Sequence, residues 1–300
     1  MIALDVHAHL IPVDADRLAG LSGVTFEAGT MTIDGAKVGI KALFQPEALI
    51  AWMDERGVAQ ALVSAPPPTY RQHLDAAAAA DWCAYLNDGL AAICARWPGR
   101  LQPLFHVPVE HADLAVEIVR GRDGAGFSLA AGGDTPVCFS DVALEPLWQA
   151  LNDRKAFVFL HPGHCADERQ GRFYLENLLG NPCETALAVG HLVFGGVLVR
   201  HADIRFCLAH AGGVTAMVAG RWQQGFDTAR PGLDTTLPPP RAQLRRFTVD
   251  TIAHDPAALA LAAEVFGPEN IRFGSDWPFP MGLLDPGRQL PAEVLAKLAK

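Results

Sequence analysis

No run of basic residues breaks this sequence, and nowhere do aromatic and basic residues interleave. Acidic residues are in excess, 33 against 24 basic ones, so nucleic acid is not an expected partner. No stretch of about 20 apolar residues escapes charges or breakers, so no membrane-spanning helix is expected. The opening MIALDVHAHL carries neither a basic n-region nor a long apolar core, so no secretory leader is expected. The six cysteines, Cys83, Cys94, Cys138, Cys165, Cys183 and Cys207, form no C-x-x-C pair. In a chain of this length they read as reduced thiols of a cytoplasmic protein, and a thiolate metal cluster is disfavoured. No G-x-G-x-x-G follows an early strand, which leaves a dinucleotide without support; no organic cofactor is expected.

What is present is alternation. Short apolar runs at Ile2–Val6, Gln60–Ser64, Leu101–His106, Gly126–Leu129, Phe157–Leu160, Ile204–Leu208, Phe247–Val249 and Asn270–Phe273 read as eight strands. Helical patterns lie between them. PEALIAWMDERG opens on proline and stops on glycine, and the Ala-rich DAAAAADWCAYLNDGLAAICARWPG closes on Pro-Gly. Alternating strands and helices imply right-handed βαβ units and a parallel sheet. Eight units predict a single α/β domain over residues 1–300, a (β/α)8 TIM barrel with its functional groups at the C-terminal strand ends. The alternative is an open doubly wound sheet. Residues 12–45 interrupt the alternation. VTFEAGTMTIDGAKVGI, with its Asp34-Gly35 turn signal, reads as a small β-rich insertion after the first strand, at the barrel mouth.

The histidines fall at telling places on this map. His7 and His9, in LDVHAHLIP, are spaced i, i+2 and would project to one side of a strand. Alone, H-x-H reads more often as two solvated histidines than as half a metal site. His161 ends the fifth strand (FVFLHPGH), His210 ends the sixth (RFCLAHAGG), and Asp276 follows the eighth (IRFGSDWPFP). Five metal-competent or proton-competent groups at the same end of a barrel favour a site over chance. Three imidazoles and a carboxylate suit one divalent ion, Zn²⁺ first, with Mn²⁺ or Fe²⁺ as alternatives. A further histidine nearby would serve as general acid or base. His106 and His254, also near strand ends, read as structural or supporting residues.

DVHAHLIP, FLHPGH, NPCETALAVGHLVFGGVLVRHADIRFCLAHAGG, GRWQQGF, DTIAHDP and GSDWPFPMG resemble the amidohydrolase superfamily. Within it they are most similar to the decarboxylases of the 2-amino-3-carboxymuconate-6-semialdehyde decarboxylase-like family. The resemblance implies that His7, His9, His161 and Asp276 ligate one metal, and that His210 handles a metal-bound water, which makes His210 and Asp276 the candidate catalytic residues. It implies that Arg221, in AGRWQ, reaches a substrate carboxylate in the neighbouring subunit of a homodimer. The fourth strand ends without the lysine that would bridge two metals, which favours one. The pocket wall departs from the family: Leu49 stands at an expected arginine, Asn177 at a tryptophan, and Gly163 and His164 where Trp-Asp follows the family's His-Pro. His164 and Asn177 are therefore candidate substrate-binding residues. The expected activity is metal-dependent decarboxylation of a small unsaturated or aromatic carboxylic acid. The alternative is a hydrolase or hydratase acting on a lactone, an amide or an unsaturated acid on the same barrel.

Overall fold

The computed structural model describes residues 1–298 apart from 134 and 166. From the N-terminus, β1 (Ile2–His9) and a one-turn helix α1 (Ala15–Leu18) precede the strands β2 (Val24–Glu27), β3 (Thr30–Ile33) and β4 (Ala36–Val38). Then come α2 (Pro46–Arg56), β5 (Val58–Ser64), α3 (Ala76–Ala95), β6 (Leu101–Val107), α4 (Ala112–Gly121), β7 (Gly126–Ala131), α5 (Glu145–Asp153) and β8 (Phe157–Pro162). The remainder is α6 (Asn181–Phe194), α7 (Val197–Arg200), β9 (Arg205–Leu208), α8 (Thr215–Asp227), α9 (Pro240–Leu244), β10 (Thr248–Val249), α10 (Pro256–Phe266), α11 (Pro286–Gln289) and α12 (Ala292–Leu298).

Local chemistry sets these boundaries. Pro46 starts α2 and Gly57, at φ 66°, ends it in the left-handed cap that glycine adopts without strain. The Asp75 and Asp255 carboxylates accept the first free N–H groups of α3 and α10.

The strand order is β1-β5-β6-β7-β8-β9-β10, and every pair with a resolved register is parallel. The order follows the chain without reversing. Among the described residues there is no topological switch point, which disfavours the doubly wound alternative. Seven of the eight expected strands form. The eighth, Asn270–Phe273, is reduced to a single bridge between Val249 and Ile271. Its continuation bonds β1 at irregular spacing: Phe273 O accepts from Val6 N, Asp276 N donates to His7 O, and Trp277 O accepts from His9 N. Asp276, at φ 54°, breaks the extended run.

Two compact units divide the chain. Met1–Pro108, Asp123–Ser128 and the residues from Arg272 form the first; Val109–Arg122 and Leu129–Ile271 form the second. In the second, Trp148, Phe206 and Phe247 pack in a row, with ring centroids 6.2 and 5.8 Å apart. The first holds the antiparallel meander β2-β3-β4. Both of its hairpins are two-residue loops with positive φ throughout, Ala28-Gly29 and Asp34-Gly35, the mirror-image geometry that matches strand twist. Asp34 also anchors the meander. Arg71 donates from Nε and Nη2 to its two oxygens at 2.8 and 2.7 Å, bonds Ser22 O, and lies 5.1 Å from the Trp82 ring. That guanidinium holds the Asp34 carboxyl below its usual range. Because Arg71 is buried and Asp34 only partly so, Arg71→Ala should cost about 2–3 kcal/mol, somewhat under a fully buried pair. Urea unfolding would read this, and an unchanged midpoint would contradict it.

None of the described helices is long and apolar enough to cross a membrane.

Candidate metal centre

In the first unit, β1 brings His7 and His9 to one side, and both are completely buried. Their Nε2 atoms are 3.0 Å apart, and Asp276 Oδ1 lies 3.3 Å from each. Ligand atoms bound at ~2.1 Å to one tetrahedral ion stand ~3.4 Å apart. Three buried lone-pair donors at this spacing have the geometry of one face of a coordination shell. The ring orientations agree. His9 Nδ1 faces Ser64 O at 3.3 Å and Ser64 Oγ at 3.1 Å. A proton on Nδ1 satisfies that carbonyl and leaves the Nε2 lone pair for a metal. Burial holds His9 below the ordinary imidazole value, which favours the neutral ligand form.

Asp5 supports this face from behind. Its Oδ1 accepts from His7 N and Ser275 N, both at 3.0 Å, and so ties β1 to the segment that carries Asp276. Burial pushes its carboxyl up to about 7, against the pull of the bonds from Ser275 and His7.

In the second unit, His161 is the penultimate residue of β8. Its Nδ1 faces the Pro162 carbonyl at 3.0 Å, which again directs Nε2 outward. The His210 ring meets it edge-on, centroids 5.0 Å apart at 69°. His161 and His210 offer ligand atoms within 4.8 Å of each other. The first unit thus offers His7 and Asp276 as candidate ligands, with His9 beside them, and the second offers His161 and His210. His210 does not end β9 in extended backbone. It opens a left-handed turn, φ 54°, whose N–H donates to the Asp250 carboxylate.

The proposed substrate-binding residues are less gathered. His164 is exposed and pairs with Glu176. Asn177 lies half-buried in a π-helical turn, and Arg221 is exposed on α8. Leu49 is wholly buried on α2, a packing residue that supplies no charge.

Asp5, Ser64, Ser275 and Asp250 were not singled out in the sequence. The available signal was position: Asp5 precedes the H-x-H by one residue, and Asp250 directly follows the seventh strand.

His106 is a buried imidazole of another kind. Its backbone is clamped by Asn87, which donates to His106 O at 2.9 Å and accepts from His106 N at 2.7 Å. Its ring stacks on Tyr70, centroids 5.1 Å apart, and neither ring nitrogen has a hydrogen-bond partner among the described residues. Burial lowers its pKa from 6.5 to about 4. The unfolded chain takes up a proton near 6.5 and the folded chain does not until about 4. Stability is therefore lost as pH falls through that window, by about 1.4 kcal/mol per pH unit. His106→Phe, which keeps the stack, should flatten this acid limb. Urea midpoints at pH 7.5 and 5 compared between the two proteins would show it, and parallel losses would contradict it.

Comparison with known proteins follows the same lines. The family model described as Amidohydrolase matches residues 4–299. A 2-amino-3-carboxymuconate-6-semialdehyde decarboxylase of Dictyostelium discoideum is 28% identical over 310 residues, covering 96% of this chain and 84% of the relative. A gamma-resorcylate decarboxylase of Rhodococcus jostii is 27% identical over 252 residues, covering 76% of this chain and 75% of the relative. Among solved structures, the 5-carboxyvanillate decarboxylase of Sphingomonas paucimobilis superposes with a TM-score of 0.76 at 19% identity, covering 100% of this chain and 97% of its own.

Proposed function

The chain belongs to the amidohydrolase family, its relatives support a carboxy-lyase, and from that premise we propose a metal-dependent decarboxylase of a small aromatic or unsaturated carboxylic acid. The observation that carries the reading is the buried triangle of His7 Nε2, His9 Nε2 and Asp276 Oδ1, with sides of 3.0, 3.3 and 3.3 Å. With the proton of His9 on Nδ1, its Nε2 lone pair and the Asp276 carboxylate converge in a dry site, an arrangement that a bound cation makes favourable. The family resemblance adds His161 to the ligand set.

The ion, Zn²⁺ first and Mn²⁺ or Fe²⁺ as alternatives, supplies Lewis acidity toward substrate oxygen or water. The protein supplies the rest. His7, His9, His161 and Asp276 would hold it. His210 carries a proton. When the carbon–carboxylate bond breaks, its electron pair must end in a new C–H bond, and His210 delivers that proton as CO₂ leaves. Arg221, exposed on α8, binds a substrate carboxylate across a homodimer. Leu49 cannot replace a second arginine, so this chain takes an acid with fewer anionic groups to pair, or pairs them through His164 and Asn177. The named activities of the relatives bracket the substrate class and do not fix the substrate.

Removal of metal tests the reading. A chelator should abolish turnover, and one equivalent of Zn²⁺ or Mn²⁺ per chain should restore it. Undiminished activity in protein shown to be metal-free would sink the proposal.

A further inference from the structure

The turn after β9 is unusual in its backbone. His210, Ala211, Gly212 and Gly213 have successive φ values of 54°, 52°, 77° and 60°. Glycine accepts this region freely. Histidine and alanine do not, and two such residues in sequence are held only where the surroundings over-determine them. The C-terminal side of the turn is pinned by Val214 N, which donates to Pro182 O at 3.2 Å. Gly213 packs so close to Pro182 that a Cβ there would sit 2.3 Å from its carbonyl oxygen.

The N-terminal side is held by one carboxylate. Asp250, completely buried just after β10, accepts from His210 N at 2.9 Å, Ala211 N at 2.8 Å and Ile252 N at 2.9 Å. Two successive N–H groups converging on one anion form a concave nest. Here the anion belongs to the protein and the nest carries the histidine. If the two strained residues relaxed to extended backbone, the His210 ring would leave its edge-on contact with His161, now 5.0 Å between centroids.

We infer that Asp250 is a positioning residue for His210, its carboxylate holding the left-handed turn that aims the imidazole at the reacting carbon. The inference rests on the reading of His210 as the proton carrier. It assigns Asp250 no contact with substrate. Asparagine at this position keeps the shape but offers one acceptor oxygen and places an NH₂ against backbone donors, so at least one of the three bonds is lost.

The test is a double-mutant cycle between Asp250→Asn and His210→Asn, with Ala211→Gly as a rescue. Asp250→Asn should lower kcat by about 30- to 100-fold with KM changed less than about threefold, the signature of a lost transition-state interaction. In the His210→Asn background the same change should alter the residual rate by less than about twofold, because its effect passes through the histidine. Asp250→Asn/Ala211→Gly should regain about tenfold, since glycine takes the left-handed turn without the carboxylate. The double variant also serves if Asp250→Asn alone does not fold. An Asp250→Asn enzyme with near-normal kcat, an equal loss in both backgrounds, or no rescue by glycine would overturn the inference. A His210→Asn enzyme of full activity would instead overturn the reading of His210 itself, so the two failures are distinguishable.

Discussion

His210→Asn is expected to lower kcat by about 10³-fold while the protein keeps its metal, the middle of the range for loss of a general acid or base. The expectation follows from placement. His210 sits edge-on to His161 on a turn built for it, and asparagine preserves the left-handed backbone better than alanine would. Asparagine can accept a hydrogen bond but cannot shuttle a proton near neutral pH. Metal analysis beside the rate gives the result its meaning. Retained metal with lost turnover assigns proton transfer to His210. Lost metal assigns it as a ligand, a role its position within 4.8 Å of a His161 ligand atom also permits. Full turnover removes it from the mechanism.

The second large effect is expected at Asp276. Asp276→Asn should weaken metal binding by at least 10²-fold, since loss of a supporting partner alone costs 10- to 100-fold and this residue is the only anionic corner of its triangle. Asparagine tolerates the φ of 54° at this position, and the Asp276 N bond to His7 O needs only the backbone. Fold and stability should therefore change little while turnover falls to background at limiting metal. Excess metal should recover part of it. Unchanged affinity by competition against a chromogenic chelator would show that the carboxylate is not a ligand.

The sequence makes these groups legible unevenly, for physical reasons. The period of a strand puts His7 and His9 on one side, and β1 carries them there with their Nε2 atoms 3.0 Å apart. Strand–helix alternation locates seven parallel strands, because buried parallel strands are short, continuous apolar runs. The eighth run, Asn270–Phe273, is short and carries Asn270 and Arg272; it forms only a bridge, and its continuation meets β1 through a left-handed aspartate rather than a regular ladder. Asp34-Gly35 announces its hairpin, whereas Ala28-Gly29 makes the same turn with a residue that gives no such signal. Asp5 and Asp250 remain hidden for a different reason. A carboxylate whose work is to accept backbone N–H groups from residues 40 or 270 positions away leaves no local pattern. His164 sits within a motif that draws attention, yet its ring is engaged by Glu176 on the surface.

The central claim is that this protein removes CO₂ from an acid with the help of a metal. The most direct measurement is CO₂ release by the metal-loaded protein from a panel of 2-amino-3-carboxymuconate semialdehyde, its 2-hydroxy analogue and hydroxylated benzoates. CO₂ released in step with substrate loss, from at least one of these acids and only with metal bound, is the predicted result. Ring opening or hydration of such compounds without CO₂, by protein carrying its full metal, would contradict it and place the chain among the hydrolytic members of its family.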